Sequence, residues 1–177
     1  MIGKMIHLFC VALLLFIIME AQTRAEAEVA LPTIFVPDLE LSGDLSDAAR
    51  ADEWRQRTEL ATQALRSALT EQRLYQVSHL APAPDGVARD HISAPVDKCK
   101  ACLIELAQQA EADRILMARV FRMSELVLSL HAEIHDVDTG RLMFQRTLSF
   151  RGDNDRSWLK ALDYLANEIR SQPIEQR

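Results

Sequence analysis

Two alternating stretches around a single glycine turn constrain this chain more than any other feature. Leu126, Leu128, Leu130, Ala132 and Ile134 fall on one side, and Val127, Ser129, His131 and Glu133 on the other. From Leu142 to Phe150 the pattern repeats, with Leu142, Phe144, Leu148 and Phe150 inward. A period of two marks a half-buried strand, because successive side chains leave a strand on opposite faces. Asp138-Thr139-Gly140 between them reads as a hairpin turn, Gly140 supplying a positive φ that most residues resist. Arg114 to Met123 opens with the apolar run Ile115-Leu116-Met117-Ala118 and predicts a strand covered on both faces. The last three strands therefore form an antiparallel meander.

The preceding half mixes strand and helix signals. Thr33 to Leu41 is rich in β-formers and reads as a first strand, with Pro37 marking a bulge or an edge and Leu41-Ser42-Gly43-Asp44 ending it. A helix follows from about Ser46 to Gln72. Its buried face is Trp54, Ala61, Leu65, Ala68 and Leu69, and Asp52, Glu53, Arg55, Arg57 and Glu59 decorate the rest. Leu74 to Leu80 predicts a short second strand. Ala81 to Pro95 carries three prolines and a glycine and predicts a surface loop. Asp97 to Ala110 predicts an amphipathic helix with Cys99, Cys102, Leu103, Leu106, Ala107 and Ala110 on its buried side. Asn154 or Asp155 caps a last helix, whose stripe is Trp158, Leu162, Leu165 and Ile169. The expected fold class is α/β in the order β-α-β-α-β-β-β-α. It is a mixed sheet of about five strands, parallel at the first crossovers, with an antiparallel C-terminal meander and helices packed on the sheet.

The N-terminus bears on compartment. Lys4 precedes an unbroken apolar run of twelve residues, Leu8 to Met19, and Ala25-Glu26-Ala27 follows as a small-x-small cleavage site. Twelve residues are too few for a spanning helix, which needs ~20. Residues 1–27 are thus expected to be a signal peptide and 28–177 a single α/β domain, periplasmic and without stable membrane insertion after cleavage. The net charge of −6 argues against a nucleic-acid partner. Cys10 leaves with the leader, so Cys99 and Cys102 are the cysteines that reach an oxidising compartment.

Few residues offer chemistry. Cys99-Lys100-Ala101-Cys102 opens a helix, where the helix dipole favours a thiolate. The spacing suits a structural disulfide, two free thiols on a helix face or a redox-active pair. A polar, proline-bearing loop precedes it, whereas thioredoxin-like enzymes place the motif directly after a strand. A zinc site built on the two cysteines would have to recruit His79 and His91. His131, Glu133 and His135 share one strand face and are candidate metal ligands, but they span about 13 Å, too far for one ion to take all three readily. Asp136-Val137-Asp138-Thr139-Gly140 begins like a calcium loop, but its twelfth position is Thr147 rather than Glu. Arg151-Gly152-Asp153-Asn154-Asp155-Arg156-Ser157-Trp158 is the densest polar patch. Its acidic groups satisfy a helix N-terminus, and Trp158 anchors the helix. Arg151, Asp153, Asn154, Asp155 and Trp158 are the candidate interaction residues. No nucleophile–base–orienter set can be assembled, no cofactor is expected, and the chain is read as a non-enzyme.

Four features occur together and in order: Cys99-x-x-Cys102 opening a helix, the strand run from Val120 to Leu130, the Asp136-Val137-x-Thr139-Gly140 turn, and Arg151-Gly152-x-Asn154-Asp155-x-Ser157-Trp158 before the last helix. On these, the chain from roughly Thr33 to Leu165 resembles a bacterial family of small exported proteins of unknown function. Its pattern is also similar to the amino-terminal domain of TolB and to CsgG-like envelope α/β domains. That resemblance implies a docking module with a protein partner in the periplasm or envelope. The family tends to have Gly-Ala-Asp after the cysteine helix, where this chain has Glu111-Ala112-Asp113, so either Glu111 adopts, at a steric cost, the left-handed conformation that glycine takes there, or the helix ends differently. Three functions are consistent with the sequence: an accessory or docking protein, a thiol–disulfide protein using Cys99 and Cys102, and a metal or small-ligand binder serving a periplasmic metabolic system.

Overall fold

Strand β4, Arg114–Arg122, is at the centre of the sheet and the most buried of the strands. In the computed structural model, which describes residues 30–80 and 99–172, it is flanked on both sides. On one side β5 (Leu128–Asp136) pairs antiparallel with it, and β6 (Leu142–Phe150) pairs antiparallel with β5. On the other side β1 (Thr33–Phe35) and β2 (Glu40–Gly43) both pair with β4 in parallel, and β3 (Gln76–Ser78) pairs in parallel with β1. The order is β3-β1-β4-β5-β6, with β2 continuing the line of β1 against β4. Among the described residues the mixed sheet has six strand segments in five positions. The predicted signal peptide 1–27, the loop 81–95 and His91 lie outside the described residues, as does the expected helix start at Asp97.

The expected first strand is interrupted at Pro37. Phe35 sits opposite Ile115 and Glu40 opposite Arg119, so five steps along the first segment pair match four along β4. One extra residue must be accommodated there, and a proline, with no N–H for the ladder, occupies the break. β2 ends at Gly43, whose φ is 100° and whose missing Cβ would lie 2.2 Å from the carbonyl oxygen of Arg122. Only glycine fits that approach.

Among the described residues three α-helices cover the sheet: α1 (Ala51–Glu71), α2 (Lys100–Gln109) and α3 (Asp155–Arg170). A short 3-10 turn, Ala48–Arg50, capped by Asp47, leads into α1. The larger core joins one sheet face to α1 and α3 and contains Ile34, Leu65, Leu116, Leu130, Trp158 and Leu165. A smaller core on the other face holds Phe35, Leu103, Ala107, Ile115 and Met117 under α2. Full burial of each of the Leu, Ile, Phe and Met side chains among these stabilises the fold by about 1.5–3 kcal/mol.

Three expectations about faces need correction. Arg57 is buried at 6% exposure rather than decorating α1, because an acid from the far end of the chain receives it. Leu126 precedes β5 and is 69% exposed; the alternation begins at Leu128. Leu142 is 45% exposed because the β5–β6 register shifts between Ile134 and His135. That shift moves Leu142 to the face opposite Phe144, since one residue of slip inverts the side chains.

Candidate functional site

The polar patch after β6 folds into an acid-centred cluster. The Asp153 side chain is 1% exposed. Its Oδ1 accepts from Arg57 Nη1 at 2.9 Å and from Trp158 Nε1 at 3.2 Å, and its Oδ2 accepts from Arg122 Nε at 2.8 Å and from Trp54 Nε1 at 3.0 Å. Arg50 Nη2 lies 3.4 Å from the same oxygen. The guanidinium groups of Arg50 and Arg122 also stack over the Trp54 ring, at 5.4 and 5.1 Å from its centroid. One carboxylate thus joins α1, β4 and the start of α3. The backbone adds to the tie, Asp153 N donating to Glu125 O at 2.9 Å.

Burial alone raises the Asp153 carboxyl. Hydrogen bonds from Arg122 and Trp54 and the charges of Arg57 and Arg50 outweigh it and hold the group below the usual carboxylate range. Glu53, hydrogen-bonded first by Arg50 and then by Arg57, is pulled down to about 2. Trp158 is 1% exposed and lies edge-on to Phe150 at 6.3 Å. Asn154 is the cap of α3, its side chain accepting from Ser157 N at 3.1 Å. Asp155 accepts from Arg57 Nε at 2.8 Å. Of the five candidate interaction residues, Asp153 and Trp158 are inside the fold, Asn154 and Asp155 are surface groups engaged in it, and Arg151 is exposed and reaches outward.

Cys99 and Cys102 are joined by a disulfide across the first turn of α2, with Cα atoms 5.2 Å apart. Cys99 is also the cap, its Sγ accepting from Cys102 N at 3.3 Å. Cys102 is exposed rather than buried on the helix face, where Leu103, Ala107 and Ala110 fill that role. Both sulfurs are consumed in this bond, so a zinc site drawing on them with His79 is not formed.

The histidine face is only partly a surface. His135 is 2% exposed; its Nε2 lies 2.8 Å from Glu133 Oε2 and its Nδ1 3.3 Å from Gly140 O. Burial raises the Glu133 carboxyl, but the His135 bond and Lys100, at 3.5 Å, bring it below the ordinary value. His131 turns instead to Ser129 and Thr147, each at 3.0 Å. Strand geometry brings Glu133 and His135 together and leaves His131 with other partners. Among the described residues no three His, Cys, Asp or Glu side chains gather where one ion could be held.

A further feature was not visible in the sequence. Between the second half of β6 and the first half of α3 lies an open groove of about 590 Å³, lined by Thr147, Ser149, Phe150, Arg151, Lys160 and Tyr164 among others. A signal for it exists in the spacing of Ser157, Lys160, Ala161 and Tyr164 along one stripe of α3, but only the packing of α3 beside β6 brings that stripe to the strand edge.

The fold and its polar cluster define a mixed α/β protein with one sheet covered unequally on its two faces. Within that class the chain belongs to the family DUF3280, described as a protein of unknown function (DUF2380), whose model matches residues 32–169. No curated protein matches it. Among solved structures it is similar to lipoprotein GNA1162 from Neisseria meningitidis, with 18% identity over 79% of this chain and 97% of that one, and a TM-score of 0.49. It is also similar to the PelC dodecamer from Paraburkholderia phytofirmans, with 17% identity, coverage of 80% and 86%, and a TM-score of 0.47. TolB from Acinetobacter baumannii matches with 11% identity over 83% of this chain and 30% of that one, at a TM-score of 0.47. No helix among the described residues is long and apolar enough to cross a membrane.

Proposed function

We propose that this chain is an exported, non-catalytic accessory protein that docks a protein partner in the bacterial envelope. One observation carries the reading. The groups that sequence reasoning could assign to chemistry are engaged in holding the fold, while the long edge of β6 and the groove beside it face outward. Asp153 is saturated by arginines and indoles, and Glu133 and His135 bond each other. Among the described residues β6 is the terminal strand of the sheet and nine residues long, whereas the opposite edge, β3, has only three. Unpaired strand edges recruit other chains through main-chain hydrogen bonds. The disulfide suits an oxidising compartment, and the leader-like N-terminus supports export.

Photo-crosslinking in cells tests this. A photoreactive residue at Gln145 or Ser149 on β6 is expected to give one reproducible protein adduct, and the same residue at the exposed Gln63 of α1 none. No adduct from any surface position would count decisively against docking.

A thiol–disulfide role is the second reading, favoured by the exposure of Cys102 at a helix start. It requires a depressed thiol pKa in the reduced protein. An alkylation-rate profile centred near the ordinary ~8.5 would eliminate it.

A further inference from the structure

We propose that the β6–α3 groove receives an extended acidic peptide segment of a partner protein, which joins the sheet as an added strand. This rests on the docking reading and names its occupant.

β6 ends the strand order, so its outer edge has no neighbour among the described residues. The groove runs beside that edge from residue 147 to residue 151. Next to it in sequence, Arg146 Nε bonds Glu168 Oε2 at 2.9 Å, so that arginine is already paired. A strand added to β6 sends alternate side chains to opposite faces. Leu148 and Phe150 stand opposite Leu130 and Leu128, so they point to the α3 side. Side chains of the added strand on that side would meet Phe150, Ala161 and Tyr164; the others would pass beside Thr147 and Ser149.

Charge selects the occupant. The chain carries a net −6, yet the groove lining includes Arg151 and Lys160 and no carboxylate. Both cations are exposed, and neither makes an ion pair or hydrogen bond among the described residues. Two unneutralised cations beside a free strand edge fit carboxylates on a peptide whose backbone pairs with that edge. A second copy of this chain fits less well. β6 (LMFQRTLSF) has one charged residue, Arg146, and antiparallel self-pairing about the strand centre would set Arg146 against its own mate.

The test uses the full chain purified from periplasm and fluorescent nonapeptides read by anisotropy. One peptide alternates Thr and Val between Asp and Glu ends. A second has Lys at those ends. A third is the acidic peptide N-methylated at alternate residues. The acidic peptide should bind roughly ten-fold tighter than the lysine one, weaken in high salt and weaken on N-methylation. Arg151→Glu with Lys160→Glu should reverse the preference. Both positions are exposed and unpaired, and Arg151→Gln with Lys160→Gln, which should abolish the preference, guards against misfolding. Equal binding of the two charge types, binding indifferent to N-methylation, or an unchanged preference in the charge-reversed variant would overturn the proposal. Sedimentation showing a dimer that the reversal dissociates would also overturn it, assigning the edge to a second copy. Crosslinks on the α1 face without any peptide preference would sink the groove and leave docking standing.

Discussion

Asp153 shows how one residue can set the arrangement of several elements. Its two oxygens accept from Arg57, Arg122, Trp54 and Trp158, and removing it leaves two buried guanidinium groups and two indole N–H groups without their acceptor. Stripping one partner from a buried charge network costs far more than the network contributes over an apolar replacement. Asp153→Ala should therefore destabilise the protein by about 3–5 kcal/mol in urea unfolding. The pH dependence has a definite sign. The folded pKa values of Asp153 and Glu53 lie below their unfolded values, so their stabilisation is present above the unfolded pKa and is lost as pH falls through the folded one. For Glu53 that window runs from 4.5 down to about 2. A denaturation series from pH 6 to pH 2 should show stability falling over this range, and falling less steeply in an Asp153→Asn variant if it folds. Arg57 was not legible: the helix pattern sets it among the polar residues decorating α1, and the partner that buries it is 96 residues away. No local pattern announces an acid that distant.

At the scale of elements, the helix ends carry the clearest strain. α1 and α2 both finish in a residue with positive φ, Arg73 at 54° and Glu111 at 52°. Each closes the same way: Leu74 N donates to Leu69 O at 2.9 Å, and Ala112 N donates to Ala107 O at 3.0 Å. These are six-to-one closures that glycine normally makes, because a Cβ disfavours the left-handed region by about 1–2 kcal/mol. Glu111→Gly should thus stabilise the protein by about 0.5–1 kcal/mol, part of the relief being offset by the freer unfolded chain. Thermal unfolding of the variant checks this, and a lower midpoint would contradict it. Of the two helix endings left open at Glu111 by its departure from the family pattern, the left-handed one is found. By contrast, the single first strand became two segments, and Leu142 turned to the opposite face. Both changes come from register, since an extra residue at Pro37 and a slip beside His135 are fixed by pairing with a neighbouring strand.

Over the whole molecule, two unequal cores on opposite faces of the sheet account for the fold without help from the disulfide. Cys99 and Cys102 enclose only one helical turn, and a loop that short removes little freedom from the unfolded chain. Reduction should lower stability by no more than about 2 kcal/mol and leave the protein folded. Paired urea curves with and without reductant measure this, while intact mass should rise by one hydrogen per sulfur. By itself the sequence determined the β-α-β-α-β-β-β-α order, the Gly140 turn, a cap at Asn154 or Asp155 and the buried stripe of α3. All of these are encoded in spacings of two, three or four residues, within reach of one element. Only the tertiary structure decided which strand lies beside which, that Arg57 and Asp153 meet, that His135 is enclosed, and that an open cationic groove lies beside β6. Those outcomes depend on side chains brought together from distant parts of the chain, and their energies do not exist until the sheet has closed its order.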